Sequence, residues 1–263
     1  MTGNDTAPAS AAARIPLDNP FPGAASYYID ATTSTMDEAR RLSASAPRGL
    51  VQAGVQSAGR GRLPDRNWHA EAGRSLLVTF WFPSGEFGGA PLPLVAGIAL
   101  VRACLSWADA RRARFNSELC LKWPNDVLCG GRKIAGVLCE SAGGIAYAGI
   151  GLNCSQSAFP PGFRTPPGSI YLATGVLPDA RELLSRLVGS LYRLRGGDPG
   201  WKDDYEALLS WRGQPVRFTP GIGSEPVEGI LRGIDGTGAV VLERRVDGQA
   251  ELAAWPSGEL SPL

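Results

Sequence analysis

Twenty-three of the chain's 26 basic residues are arginines, and two of its three lysines, Lys122 and Lys133, stand eleven residues apart. A lysine kept in so arginine-rich a chain is informative. Its compact ammonium on a flexible stem does work that a planar guanidinium does not. Between the two lie the turn Trp123-Pro124-Asn125-Asp126 and the pair Gly130-Gly131. The glycine pair reads as a two-residue hairpin turn joining a strand over 127–129 to one over 134–139. Such a hairpin returns Lys133 beside Lys122 and Asp126, giving a cationic pocket edged by amide and carboxylate.

A second cationic element is Gly59-Arg60-Gly61-Arg62, which follows a strand ending at Gln56. Its glycines let backbone wrap a ligand, and alternating guanidiniums can clamp a carboxylate or phosphate in bidentate fashion. It is not a Walker A loop, and no Rossmann fingerprint is present. Ser34-Thr35 open a helix, where Thr35 with Glu38 reads as a capping box or, alternatively, as hydroxyls facing a polar ligand. Glycines inside Gly149-Ile150-Gly151-Leu152-Asn153 mark close approach of a ligand or another backbone. His69 is the only histidine, and no nucleophile elbow accompanies it, so it reads as an ordinary loop or surface residue. Chemistry here should rest on positioning and fixed charge.

The elements that position these residues alternate in texture. Strands are expected over 27–29, 51–56, 75–82, 119–122, 127–129, 134–140 and 145–152. Helices are expected over 35–44, 94–108, 179–194 and 201–209, the second with Leu94, Ile98, Val101 and Leu105 toward the core. Residues 1–20 read as disordered. From residue 211 the pattern becomes short alternating strands with glycine turns, a small barrel-like β module. The fold class is therefore α+β, a mixed sheet with helices over 21–210 followed by a β module over 211–263.

Composition narrows the function. A net charge of +1 over 263 residues predicts no broad attraction to nucleic acid or membrane. Five cysteines without C-x-x-C spacing read as buried free thiols suited to a reducing cytoplasm. Neither a signal peptide nor an uninterrupted apolar run of about eighteen residues is seen.

Taken together, Ser34-Thr35, the stretch from Gln56 to Arg62, Lys122-Trp123-Pro124-Asn125-Asp126, Arg132-Lys133-Ile134-Ala135-Gly136 and Gly149-Ile150-Gly151-Leu152-Asn153 resemble the biotin protein ligases. The resemblance spans about residues 26–175. It continues more weakly through Gly213-Gln214-Pro215-Val216 and Gly258-Glu259-Leu260-Ser261. It implies the class II synthetase-like catalytic domain of the biotin and lipoate ligases, with an SH3-like C-terminal barrel and without a DNA-binding domain. It further implies that biotin and ATP, with Mg²⁺, give biotinyl-5′-AMP, and that biotin then passes to a lysine of a carboxylase's biotin carboxyl carrier protein. A homodimer stays open, as do the metal ligands.

By position, Ser34, Thr35 and Gln56 would meet biotin's ureido head, with Gly59, Gly136, Gly149 and Gly151 allowing close backbone approach. Lys133, Arg60 and Arg62 would be catalytic, meeting the carboxylate and phosphate. Lys122, Trp123, Asn125, Asp126 and Asn153 would join Arg62 and Lys133 around the adenylate, with Phe159 or Phe163 stacking on adenine. The chain departs from the family at Met36, usually Asn, and at Leu63-Pro64-Asp65-Arg66, one residue longer than the usual loop. The rival readings are a lipoate or octanoate ligase of the same superfamily and a non-catalytic biotin-sensing regulator.

Overall fold

The computed structural model describes residues 11–62, 67–221 and 223–263. In chain order the elements are β1 (Ala13–Arg14), β2 (Ala25–Thr32), α1 (Thr35–Leu42), β3 (Gly49–Gln56), β4 (Ser75–Pro83), α2 (Leu92–Arg111), β5 (Leu119–Lys122), β6 (Asp126–Cys129), β7 (Arg132–Ala142) and β8 (Ile145–Asn153). There follow α3 (Ile170–Thr174), α4 (Ala180–Leu194), α5 (Trp201–Leu208), β9 (Pro215–Thr219), β10 (Val227–Ile234), β11 (Val240–Val246), β12 (Gln249–Trp255) and β13 (Glu259–Pro262).

The first eight strands form one mixed sheet in the order β1-β2-β3-β4-β8-β7-β6-β5. Only β2 and β3 pair in parallel, because α1 carries the chain back across the sheet between them. β5 to β8 form an antiparallel run, as their turn signals predict. Gly130 and Gly131 both take positive φ, 55° and 73°, the geometry a tight hairpin turn demands. The last five strands make a second, wholly antiparallel sheet, β12-β11-β10-β9-β13.

Three expectations need correction. The segment expected to be disordered through residue 20 contributes β1, whose Ala13 and Arg14 pair with Tyr28 and Tyr27. Residues 1–10 lie outside the described residues. The short α3 and β13 were not foreseen, since each is too brief to show a period. α2 is longer than its predicted stripe and is apolar around most of its circumference. Leu94, Ile98 and Val101 are buried, as are Ala96, Ala99, Leu100 and Trp107, whereas Leu105 is 48% exposed. By length and composition α2 could cross a membrane. In this fold it is instead a core helix, packed against α4 and the sheet.

α4 begins where Asp179 accepts hydrogen bonds from the backbone N–H groups of Arg181 at 2.7 Å and Glu182 at 3.1 Å. Leu183, Leu184, Leu187, Val188 and Leu191 then fall on one buried face against α2. All five cysteines are free. Burial pushes the Cys154 thiol up to about 12, so it stays protonated and inert. Because Asp179 is exposed and contributes only the cap, Asp179→Ala should cost about 1 kcal/mol. A melting curve should show this as a Tm lowered by about 2–4 °C.

Candidate active site

The site lies where α1, the ends of β3 and β8, and the β6–β7 hairpin converge. Parallel pairing sets Thr32 opposite Gln56, so the end of β3 faces the start of α1. Ser34, not Thr35, is the N-cap. Its Oγ accepts from the Met36 backbone N–H at 3.3 Å, so the Thr35/Glu38 capping box does not form. Thr35 is turned inward, and both its backbone N–H (2.6 Å) and its hydroxyl (2.8 Å) donate to Gln56 Oε1.

The hairpin delivers the second wall. Lys122 stands opposite Asp126, and Asp126 opposite Gly136. A bulge between Val127 and Leu128 then shifts the register. Lys133 Nζ lies 2.7 Å from Asp126 Oδ1 and 5.6 Å from the centre of the Trp68 ring. Asn125 is stitched to β7, its side-chain amide donating to the Val137 carbonyl at 3.0 Å while its own carbonyl accepts from the Val137 N–H at 2.8 Å. Lys122 Nζ donates to Thr165 at 3.2 Å. Burial lowers the Lys122 pKa, against the opposing pull of Asp126 and Glu259.

The remaining walls come from loops. The flap after β3 returns at Trp68, whose N–H donates to the Gly59 carbonyl at 2.8 Å. Arg60 pairs with Asp37 at 2.8 Å, and Arg62 donates to the Gly258 carbonyl in the turn before β13. The altered stretch at residues 63–66 lies outside the described residues. The loop after β8 is pinned to the start of β7: the Lys133 N–H donates to Pro166, and the Gly168 N–H to the Lys133 carbonyl, both at 2.8 Å. Asn153 closes the base of that loop, its amide donating to the Gly168 carbonyl at 2.9 Å. Arg164 from the same loop pairs with Glu259.

These walls enclose a cavity of about 400 Å³. Ser34, Thr35, Gln56, Arg60, Arg62, Lys122, Asn125, Asp126, Lys133 and Asn153 all line it. The structure thus brings these predicted residues together with Gly136, Gly149 and Gly151, whereas Gly59 does not line the cavity and packs instead against Trp68 and Gln56. Trp123 borders the cavity, yet its ring is buried against Phe218, 6.2 Å between centroids, and its indole N–H donates to the Gly238 carbonyl at 2.9 Å. It thereby fastens the C-terminal sheet to the hairpin.

The glycines give close approach, but to side chains of this chain. A Cβ on Gly151 would collide with the Trp68 indole, and one on Gly136 would sit 3.1 Å from that ring. A Cβ on Gly149 would lie 3.0 Å from the Met36 methyl. Trp68, Thr79, Arg164, Thr165 and Glu259 line the cavity without having been singled out as site residues, because no local pattern marks them. His69, read as an ordinary loop residue, also lines it, 6.5 Å from the Phe163 ring. Phe159 lines it as well.

A cation-lined cavity with a polar head, framed by a mixed sheet and a trailing β module, is the arrangement of an acyl-activating ligase. Residues 25–157 match the model of the biotin/lipoate A/B protein ligase family, and the chain belongs to that family. It is 34% identical over 227 residues to the biotin--[acetyl-CoA-carboxylase] ligase of Paracoccus denitrificans, covering 80% of this chain and 91% of that one. Its fold is similar to that of the Aquifex aeolicus biotin protein ligase in complex with biotin and ATP, with TM-score 0.73 and 24% identity over 90% and 97% of the two chains. It is also similar to the Leishmania major biotin protein ligase in complex with biotinyl-5-AMP, with TM-score 0.61 and 25% identity over 87% and 98%.

The space at Gly151 yields a direct test. Gly151→Ala must push the Trp68 ring off β8, and such overpacking typically costs about 1–3 kcal/mol. Gly236→Ala, where an added Cβ meets nothing within 4 Å, should leave the Tm unchanged. Equal Tm values for the two variants would contradict the packing described.

Proposed function

We propose that this protein is a biotin protein ligase: it joins biotin and ATP into biotinyl-5′-AMP with release of pyrophosphate, then transfers biotin to a lysine of a biotin carboxyl carrier protein. The observation that carries this reading is the convergence of five cationic side chains, Arg60, Arg62, Lys122, Lys133 and Arg164, on a cavity that the Thr35–Gln56 pair also lines.

The reaction brings a carboxylate against an α-phosphate, and both are anions. Cations must therefore stand where the charge develops. Lys133 is placed to exchange Asp126 for the reacting carboxylate and α-phosphate oxygens. Arg60 and Arg62, on the flap, close over the same atoms. The Thr35–Gln56 pair holds the ureido head, so the carboxylate end of biotin is presented toward the lysines. Asn125 and Asn153 frame the nucleotide side from β7 and β8, with Lys122 near its phosphates. In the second half-reaction the carrier's lysine amine attacks the mixed anhydride, AMP leaves, and an amide forms. A lipoate or octanoate chain offers no polar head to match Thr35 and Gln56, so biotin fits better.

Mg²⁺ is expected with ATP. Among the described residues that line the cavity, the acids are Asp126 and Glu259, and no group of three or more His, Cys, Asp or Glu side chains is assembled as a cage. That suits an ion that keeps most of its shell from water and phosphate, with one or two carboxylates in support. When bound it would offset phosphate charge alongside the lysines. Five free thiols fit a cytoplasmic setting. We divide the chain into a catalytic part over 21–210 and a β module over 211–263, and take the substrates to be small molecules and a carrier protein rather than nucleic acid or membrane.

The test is Lys133→Ala. Removing one such contact should lower biotin-dependent pyrophosphate release at least ~100-fold, while the melting curve remains cooperative. A folded variant with normal turnover would overturn the role given to Lys133. Wild-type protein that neither releases pyrophosphate with biotin nor labels a carrier domain would overturn the function itself.

A further inference from the structure

The polar head of the cavity contains a hydrogen-bond chain longer than the motif residues account for. Thr79, on β4, lies directly across from Gly149 of β8 and is fully buried, yet it borders the cavity. Thr79 Oγ1 donates to Thr35 Oγ1 at 2.8 Å. Thr35 Oγ1 in turn donates to Gln56 Oε1, also at 2.8 Å.

The proton directions in this chain are set by chemistry. The Thr35 backbone N–H, 2.6 Å from the Gln56 side chain, can only donate, so the atom it meets must be the amide oxygen Oε1. An amide oxygen only accepts, so the Thr35 hydroxyl must give its proton to it. The Thr35 oxygen is then left as the acceptor for the Thr79 proton. With Oε1 engaged twice by Thr35, the two hydrogens of Gln56 Nε2 have no hydrogen-bond partner among the described residues. Nε2 would lie 3.3 Å from a Cβ on Gly59, at the mouth of the flap. Ser34 Oγ likewise accepts from the Met36 N–H, which leaves its own proton to donate. The head therefore offers donors from Gln56 and Ser34, and acceptor lone pairs from Thr35 and Thr79. A cyclic urea presents the complement, a bare carbonyl oxygen flanked by two N–H groups.

We propose that Thr79 is a positioning residue for ligand selection: by donating to one lone pair of the Thr35 oxygen it holds that hydroxyl on Gln56 Oε1, and so steadies the Gln56 amide with its donors toward the ligand. This rests on the biotin reading above. Without the Thr79 proton, the Thr35 hydroxyl loses its support from the far side and its bond to Gln56 Oε1 weakens. The amide plane then loosens, and the head distinguishes less sharply a ligand that accepts at this point from one that donates. Because the hydroxyl sits at the head and away from the lysines, its loss weakens selection of the ring system without touching the reacting atoms.

The experiment compares full-length wild type, Thr79→Val and Thr79→Ser, each checked by melting curve, in biotin-dependent pyrophosphate release. The ligands are biotin and 2-iminobiotin, whose imino nitrogen carries hydrogen where biotin has a bare oxygen. Thr79→Val should raise the biotin KM about tenfold, the order of one hydrogen bond in a coupled chain. Its kcat and its KM for ATP should stay within about twofold, and its preference for biotin over 2-iminobiotin should narrow. Thr79→Ser, which restores the hydroxyl, should recover both the KM and the preference. An unchanged biotin KM in Thr79→Val, a parallel fall in kcat and ATP affinity, or failure of Thr79→Ser to recover would overturn the proposal. All three outcomes require an active wild type, so they are distinct from failure of the biotin reading.

Discussion

Five like charges around one small cavity repel each other, and the architecture of the site follows from how that repulsion is held in check. Each cation is parked on an acceptor of this chain: Lys133 on Asp126 at 2.7 Å, Arg60 on Asp37 at 2.8 Å, Lys122 on Thr165 at 3.2 Å, Arg164 on Glu259, and Arg62 on the Gly258 carbonyl. The Lys133–Asp126 pair is the central one. Asp126 is 13% exposed and Lys133 28%, so the pair is partly desolvated, with the Asp126 Oδ1 that faces Lys133 itself buried. A more deeply buried pair would be too costly to open, and an exposed one would order nothing. The Trp68 ring beside Lys133 adds a weak attraction that does not compete with a carboxylate or phosphate.

The same parking contacts tie the C-terminal sheet to the site. Gly258, just before β13, and Glu259, its first residue, receive Arg62 of the flap and Arg164 of the loop after β8. Behind them the module is fastened by the Trp123 indole on Gly238, and by Glu206 of α5. Glu206 accepts from the Ile234 N–H at 3.0 Å and pairs with Arg212 at 2.7 Å. Trp123 is thus a joint between the hairpin that carries Asp126 and Lys133 and the sheet that carries Glu259.

Much of this was legible in the residues alone. Two scarce lysines around a Gly-Gly turn define the hairpin because turn geometry is local chemistry, and Gly130 and Gly131 take the required φ. The Ser34-Thr35 hydroxyls were visible at a helix start, whereas Gln56 joined them only through the family resemblance. What stayed hidden depends on sheet order. Thr79 reads as one more residue of a buried strand, and only the adjacency of β4 to β8 places it across from Gly149 and beside Thr35. Trp68 and Glu259 reach the cavity from segments without periodicity. Trp123 reads together with its neighbours as one motif. Its burial comes from the C-terminal sheet, a contact separated by more than a hundred residues that no local pattern encodes.

The central claim is that Lys133 leaves Asp126 for the reacting group. It is tested most directly by a crystal structure of the full chain with a non-hydrolysable biotinyl-5′-AMP analogue. The account predicts Lys133 Nζ within hydrogen-bond distance of the analogue's acyl or α-phosphate oxygen, with the Asp126 contact lengthened or lost. Lys133 still paired to Asp126 and out of reach of those atoms would contradict it.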